Sequence, residues 1–292
     1  MCAIFGIGFL NGHRIADMAR VRLILDVLFK ESQSRGRRAS GITFTTPHEI
    51  AIVKKDLSAD LLISTDEYRD ACKKYMEGKR LVSIIGHCRY PTKGEPEDNN
   101  NNHPIVARRV IGVHNGMISN DDDLFDEYKS FAGKGWHRAG LVDSEIIFRL
   151  LDYYFYTDMQ EPVDAIKTTC KNLTGSYACA FVTTRDKYYI WLFRNHMPIS
   201  LMFYPKLGVV IFASAKDFIN KSLYGLNLGR EVEIEVPTNS GIGIDLFNNS
   251  KTKFDLEKPV GVVKHSRQPA GFLVKSTPAT LPGILPPPAG EE

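Results

Sequence analysis

Two antiparallel β-sheets packed together and covered by helices, an α+β arrangement, are the fold that the sequence predicts. Three observations lead there. Strand-like segments arrive in hairpin groups with few helices between them, which disfavours a doubly wound parallel sheet. Other segments carry apolar residues at helical spacing and need a sheet to pack on. The 292 residues are 43% hydrophobic and 24% charged, which supplies the core that two covered sheets require.

The elements follow from local pattern. Cys2 to Leu10 alternates and is rich in β-branched and aromatic residues, so the chain should enter a buried strand at once, with Gly6 and Gly8 allowing another backbone close. Ile15 to Lys30 repeats apolar residues as an amphipathic helix. Strands are expected at Ile42 to Thr46, Ile50 to Lys54, Leu81 to Cys88 and Arg109 to His114, with a helix at Asp66 to Tyr75. Helices follow at Asp122 to Phe131, Asp143 to Tyr156 and Val163 to Asn172. Strands at Tyr177 to Thr184, Tyr188 to Phe193, Leu201 to Tyr204, Val209 to Ala213, Val232 to Val236 and Ile242 to Leu246 complete the pattern. Beyond Phe247 the periodicity fades into a stretch with Pro278, Pro282, Pro286, Pro287 and Pro288, which reads as an extended tail. The expected organisation is therefore a domain over residues 2–246 and a Pro-rich extension over 247–292.

Several function classes are excluded. A net charge of +3 with dispersed basic residues argues against nucleic acid as the main partner. No run approaches the length of a membrane span and the start has no secretory pattern, so a cytoplasmic protein is expected. The five cysteines form no CxxC pair, and no His/Cys/Asp cluster has zinc spacing; neither a disulfide framework nor a metal is expected. Cys2 is the cysteine whose position is unusual.

A small residue in second place permits removal of Met1 and leaves an α-amine on Cys2. The amine, with a reference pKa of about 7.7 to 8.0, could take the proton of a thiol of about 8.5, so one residue would carry base and nucleophile. Arg89, in Gly86 to Gly94 after a strong strand, could clamp a carboxylate or make a surface ion pair. Asn115-Gly116 could aim one side-chain amide and one backbone N–H at an oxyanion, or form a hairpin turn. Asp143 could meet an ammonium or cap the following helix. His87 and His114 flank this set and read as hydrogen-bonded packing residues. The run Arg35 to Arg38 could touch an anion or simply be solvated.

In this order the motifs resemble the glutaminase domain of the class II, N-terminal-cysteine glutamine amidotransferases, most closely that of glucosamine-fructose-6-phosphate aminotransferase. The matching segments are Cys2 to Gly6, Arg35 to Gly41, His87 to Gly94, His114 to Gly116 and Val142 to Glu145. The resemblance implies an αββα sandwich of the N-terminal nucleophile hydrolase type. It implies Cys2 as nucleophile and Asn115 with Gly116 as oxyanion hole. Arg89, Thr92, Asp143 and His114 are the implied substrate contacts. L-glutamine is the implied substrate, hydrolysed through a thioester to glutamate and ammonia with no cofactor. Tyr90 stands where the relatives have Trp, Lys93 where they have His, and Arg37-Arg38-Ala39 where they have Tyr-Asp-Ser, so loop closure over glutamine is expected to differ. The Pro-rich extension leaves a separate synthase subunit as the expected ammonia acceptor, with a simple glutaminase as the alternative. An N-terminal cysteine hydrolase of another amide and a non-catalytic module with the same fold are the competing readings.

Overall fold

The computed structural model describes residues 1–256 apart from 12–17, 78–79, 131, 133–135 and 229. The first sheet has seven strands: β1 (Ala3–Phe9), β2 (Ala39–Thr45), β3 (Ile50–Lys55), β4 (Ser83–Arg89), β9 (Ser200–Tyr204), β10 (Val209–Ala213) and β11 (Val232–Glu233). The second has six: β5 (Ile105–Ala107), β6 (Val110–Ile118), β7 (Gly175–Thr183), β8 (Tyr189–Arg194), β12 (Ser240–Asp245) and β13 (Ser250–Asp255). Their orders are β11-β9-β10-β1-β4-β2-β3 and β13-β12-β8-β7-β6-β5, and every pairing is antiparallel.

Side-chain alternation sorts the apolar residues into three layers. From β1, Ala3, Phe5, Ile7 and Phe9 pack under α1 (Met18–Ser32), α2 (Ala59–Ile63), α3 (Asp66–Met76) and α7 (Lys216–Ser222). Ile4 points the other way, into a middle layer with Ile85, Val113, Ala180, Val210 and Phe212 contributed by both sheets. The outer face of the second sheet is closed by α4 (Asp121–Lys129), α5 (Glu145–Tyr156) and α6 (Pro162–Asn172) around Phe148, Ile147 and Phe181. The architecture is thus the expected αββα sandwich. Gly6 lies where a Cβ would meet the Phe212 ring and, at 2.5 Å, the Ile84 carbonyl oxygen, so the close approach foreseen for β1 is real.

Four elements lacked a sequence signal. α2 and α7 have only 5 and 7 residues, too short to show a helical period. β5 has three residues. β13 pairs with β12 from Ser240↔Asp255 to Asp245↔Ser250, so the second sheet runs past the expected end at 246. Within β13 only Phe254 is buried, and an edge strand bearing Lys251 and Lys253 shows no apolar alternation. β11 is shorter than the strand expected to Val236, because its register with β9 covers only Val232↔Phe203 and Glu233↔Met202. The Pro-rich tail lies outside the described residues.

The middle layer makes a stability prediction. Gly6→Ala should lower the unfolding free energy by about 1–3 kcal/mol, since the Ile84 carbonyl cannot yield without moving its strand and the buried Phe212 ring would have to repack. Urea denaturation measures this, and an unchanged midpoint would mean that β1 can shift against β4 and β10 at no cost.

Candidate active site

The register of the first sheet places the candidates at one end. Ala3 pairs with Cys88 and Ser40 also pairs with Cys88, so the start of β1, the end of β4 and the start of β2 lie in one row. Cys2 has the parity of Ile4, and His87 and Arg89 have the parity of Ile85; all three therefore point to the middle layer rather than to the helices. On β6, Asn115 has the parity of Ile111 and Val113 and joins the same layer from the opposite sheet. The start of β1 is fixed further by Ser214, whose hydroxyl accepts from the Ile4 N–H at 2.9 Å, while the Ser214 N–H donates to the Ile4 carbonyl.

Cys2 is half-buried. Its Sγ accepts from the Tyr90 N–H at 3.3 Å and lies 3.4 Å from the Tyr90 carbonyl oxygen. Burial raises its pKa, and the Tyr90 N–H, the terminal ammonium and the Arg89 charge offset only part of that; Asp143 raises it further. A thiol in this setting is protonated at neutral pH and needs a base. The same electrostatic coupling puts Arg89 and Asp143 in its neighbourhood.

Arg89 is buried rather than a surface ion-pair residue. Its Nη1 donates to Asn102 Oδ1 at 2.9 Å, and its Nη2 donates to the Lys93 and Gly94 carbonyls at 2.7 and 2.6 Å. Asp143 is not the cap of α5: its Oδ2 accepts from the Ile118 N–H at 2.7 Å, so it is tied to the end of β6 instead. Asn115-Gly116 is not a hairpin turn. Both residues lie within the nine-residue β6, paired as Asn115↔Ala178 and Gly116↔Tyr177. Gly116 has φ +144°, and a Cβ there would collide with the Ser176 carbonyl oxygen, which confines the position to glycine.

Asn115 is 1% exposed, yet neither its Nδ2 nor its Oδ1 has a hydrogen-bond partner. Such a group costs free energy unless something takes its hydrogen bonds. Close by, the His87 Nε2–H donates to the His114 carbonyl at 3.0 Å, and the His87 ring stacks on His103 at 4.0 Å between centroids. His114 points away from the middle layer, with Nδ1 2.7 Å from Ser144 Oγ and Nε2 3.4 Å from the Ser176 carbonyl. Thr92 is exposed on the turn after β4. Sequence reasoning missed Asn102, which holds Arg89, and Ser144, which holds His114. Asn102 sits in the Asn99 to Asn102 run, whose repetition hides the one position that does this.

The comparisons point to the glutamine amidotransferases. Residues 92–221 match the family model of that description. The glutamine–fructose-6-phosphate aminotransferase (isomerizing) of Streptococcus pneumoniae serotype 4 is 34% identical over 116 residues, covering 39% of this chain and 19% of the relative. That of Caldanaerobacter subterraneus is 29% identical over 201 residues, covering 68% of this chain and 29% of the relative. The chain thus spans less than a third of these relatives. Among solved structures, the glutamine phosphoribosylpyrophosphate amidotransferase of B. subtilis superposes with a TM-score of 0.62 at 17% identity, covering 87% of this chain and 49% of that one. A glutamine aminotransferase class-II domain protein of Silicibacter pomeroyi superposes with a TM-score of 0.51 at 13% identity, covering 87% of this chain and all of that one. These two share the fold of the amidotransferase domain. Among the described residues, no helix is long and apolar enough to cross a membrane and no group of three His, Cys, Asp or Glu residues could hold a metal ion.

The histidines beside the site set a pH dependence. Burial holds His87 down to about 3 from an ordinary 6.5 and lowers His103 and His114 as well. The unfolded chain then binds more protons than the folded one below pH 6.5, so these groups support folding above that value and withdraw support as the pH falls. Between pH 6.5 and 5, above most carboxylate titration, unfolding free energy should fall with a slope that steepens towards about 1 kcal/mol per pH unit for His87, with His103 and His114 adding in the same direction. Urea melts across this window test it, and flat stability would mean that the three rings are protonated in the fold.

Proposed function

We propose that the amidotransferase domain hydrolyses the side-chain amide of L-glutamine through a Cys2 thioester. The observation that carries this reading is the Asn115 side chain, 1% exposed with both amide atoms unpartnered, on the layer that Cys2 also faces. A preorganised donor without a ground-state partner is what an oxyanion hole requires.

In this mechanism removal of Met1 gives Cys2 an α-amine, which takes the Sγ proton that burial otherwise holds on the thiol. The thiolate attacks the amide carbon, and Asn115 Nδ2 with the Gly116 N–H receives the charge on the carbonyl oxygen. The ammonium of Cys2 returns a proton to the leaving nitrogen, the C–N bond breaks, and ammonia departs. Water then opens the thioester and releases glutamate. Arg89 binds the substrate α-carboxylate: three of its five N–H groups go to Asn102, Lys93 and Gly94, and two remain for a ligand. Asp143, whose Oδ2 is held by Ile118, faces the α-ammonium. Thr92 and His114 serve at most as outer contacts, Thr92 from the exposed turn and His114 through Ser144. Hydrolysis of an unrelated amide fits less well, because Arg89 and Asp143 supply a paired charge that only an amino-acid substrate would match. The ammonia acceptor is proposed to belong to a separate synthase subunit in the cytoplasm.

Replacement of Cys2 by Ala should abolish glutamine hydrolysis and covalent labelling by 6-diazo-5-oxo-L-norleucine. Asn115→Ala should lower kcat by on the order of 10² to 10³ with a small change in KM, since its bond matters only once the oxyanion forms. Steady-state glutamate release measures both. Full activity of either variant would remove that residue from the mechanism.

A further inference from the structure

Arg89, one end of the proposed clamp, is the last residue of β4, and Asp143, the other, lies in the loop before α5; the loop that follows Arg89 and the loop that carries Asp143 both reach one carboxylate. Lys93, four residues after Arg89, places Nζ 2.6 Å from Asp121 Oδ2 and 2.8 Å from Asp122 Oδ2. Arg138, five residues before Asp143, places Nη2 2.8 Å from the same Asp121 Oδ2 and 2.7 Å from Asp122 Oδ1. The two carboxylates are unequal: the Asp121 side chain is 5% exposed and that of Asp122 73%. Only the Asp121 pairs are shielded enough from water to hold geometry.

The surroundings make Asp121 a fixed post. It opens α4, where the helix dipole favours a negative charge. Arg138 is also held over the Phe125 ring at 4.3 Å. Burial disfavours the Lys93 charge, but Asp121 and Asp122 outweigh it and raise its pKa, so the cation persists through neutral pH. A second strut runs parallel: Asn101 Oδ1 accepts from the Leu141 N–H at 2.6 Å, and its Nδ2 donates to the Glu95 carbonyl at 2.9 Å. Because Arg89 donates to the Lys93 carbonyl, a displaced Lys93 displaces the guanidinium.

We infer that Asp121 is a positioning residue that fixes the two arms of the glutamine clamp relative to each other by holding Lys93 and Arg138 together. The inference rests on the glutamine reading above. The α-carboxylate and α-ammonium of an amino acid share one carbon, so binding both demands a set separation of Arg89 and Asp143. Those groups carry the same charge in ground and transition states, so loosening the brace weakens binding without altering the chemical step.

The test uses the full chain with Met1 removed. Asp121→Asn should raise KM for L-glutamine about tenfold and leave kcat within about twofold, and Asp121→Glu should recover part of the loss. Lys93→Met should act in the same direction and replaces Asp121→Asn if that variant does not fold. Asp123→Asn, an exposed neighbour, controls for lost charge. Iodoacetamide, which needs no clamp, should label Cys2 at the wild-type rate in Asp121→Asn, whereas 6-diazo-5-oxo-L-norleucine, which carries both α-groups, should label it more slowly. An unchanged KM in an active Asp121→Asn enzyme, or equal slowing with both reagents, overturns the positioning role alone. A wild-type chain that neither hydrolyses glutamine nor reacts with the diazo reagent overturns the glutamine reading, and the inference with it.

Discussion

The burial of β1 on both faces, between β10 and β4, is the constraint on which the rest of the molecule depends. All seven of its residues are buried, and ladders on both sides fix its register. A side chain one position before such a strand has little freedom. Cys2 is therefore aimed by the sheet itself, with Ser214 and the Tyr90 backbone completing the hold. Gly6 has no room for a side chain because the Phe212 ring from β10 and the Ile84 carbonyl of β4 close over it within the same sheet.

That closeness carries a cost. Asn115, His87 and His103 all bury polar atoms with no partner, and each such atom costs on the order of 1–3 kcal/mol. Strands packed as tightly as β4 and β6 can tolerate this because the surrounding apolar layers are extensive. In the proposed mechanism the Asn115 deficit is useful: the donor has no competing ground-state bond to break when negative charge develops. The buried histidines are kept neutral by the same desolvation, which leaves the proposed base to the chain's own α-amine.

Charged groups are arranged outside this layer rather than within it. Arg89 reaches the layer and is held by backbone carbonyls and Asn102; among the described residues no carboxylate is hydrogen-bonded to it. The carboxylates that neutralise the neighbouring cations sit one loop away at the start of α4. Lys93, one of the positions where this chain departs from the family pattern, gains an ion pair with Asp121, which gives the loop over Cys2 an attachment that the motif alone would not suggest.

How much was legible depends on the range of the interaction. Strand and helix periods, the two-sheet class and the ordered motifs around Cys2, Arg89, Asn115 and Asp143 could be read from the sequence, because alternation and short motif spacing are local properties. Short elements such as α2, α7 and β5, and the polar edge strand β13, could not, since each owes its conformation to a neighbour rather than to its own pattern. Asn115-Gly116 is the sharpest case. The dipeptide is equally suited to a turn and to a strand, and pairing with Ala178 and Tyr177, some sixty residues away, decides for the strand. Asp143 was likewise free to cap a helix until the Ile118 N–H claimed it. The sequence by itself determined the ordered motifs and the chemical groups that they carry. Only the tertiary structure decided which face each occupies, because side-chain parity along a strand is local but the sheet that faces it is not.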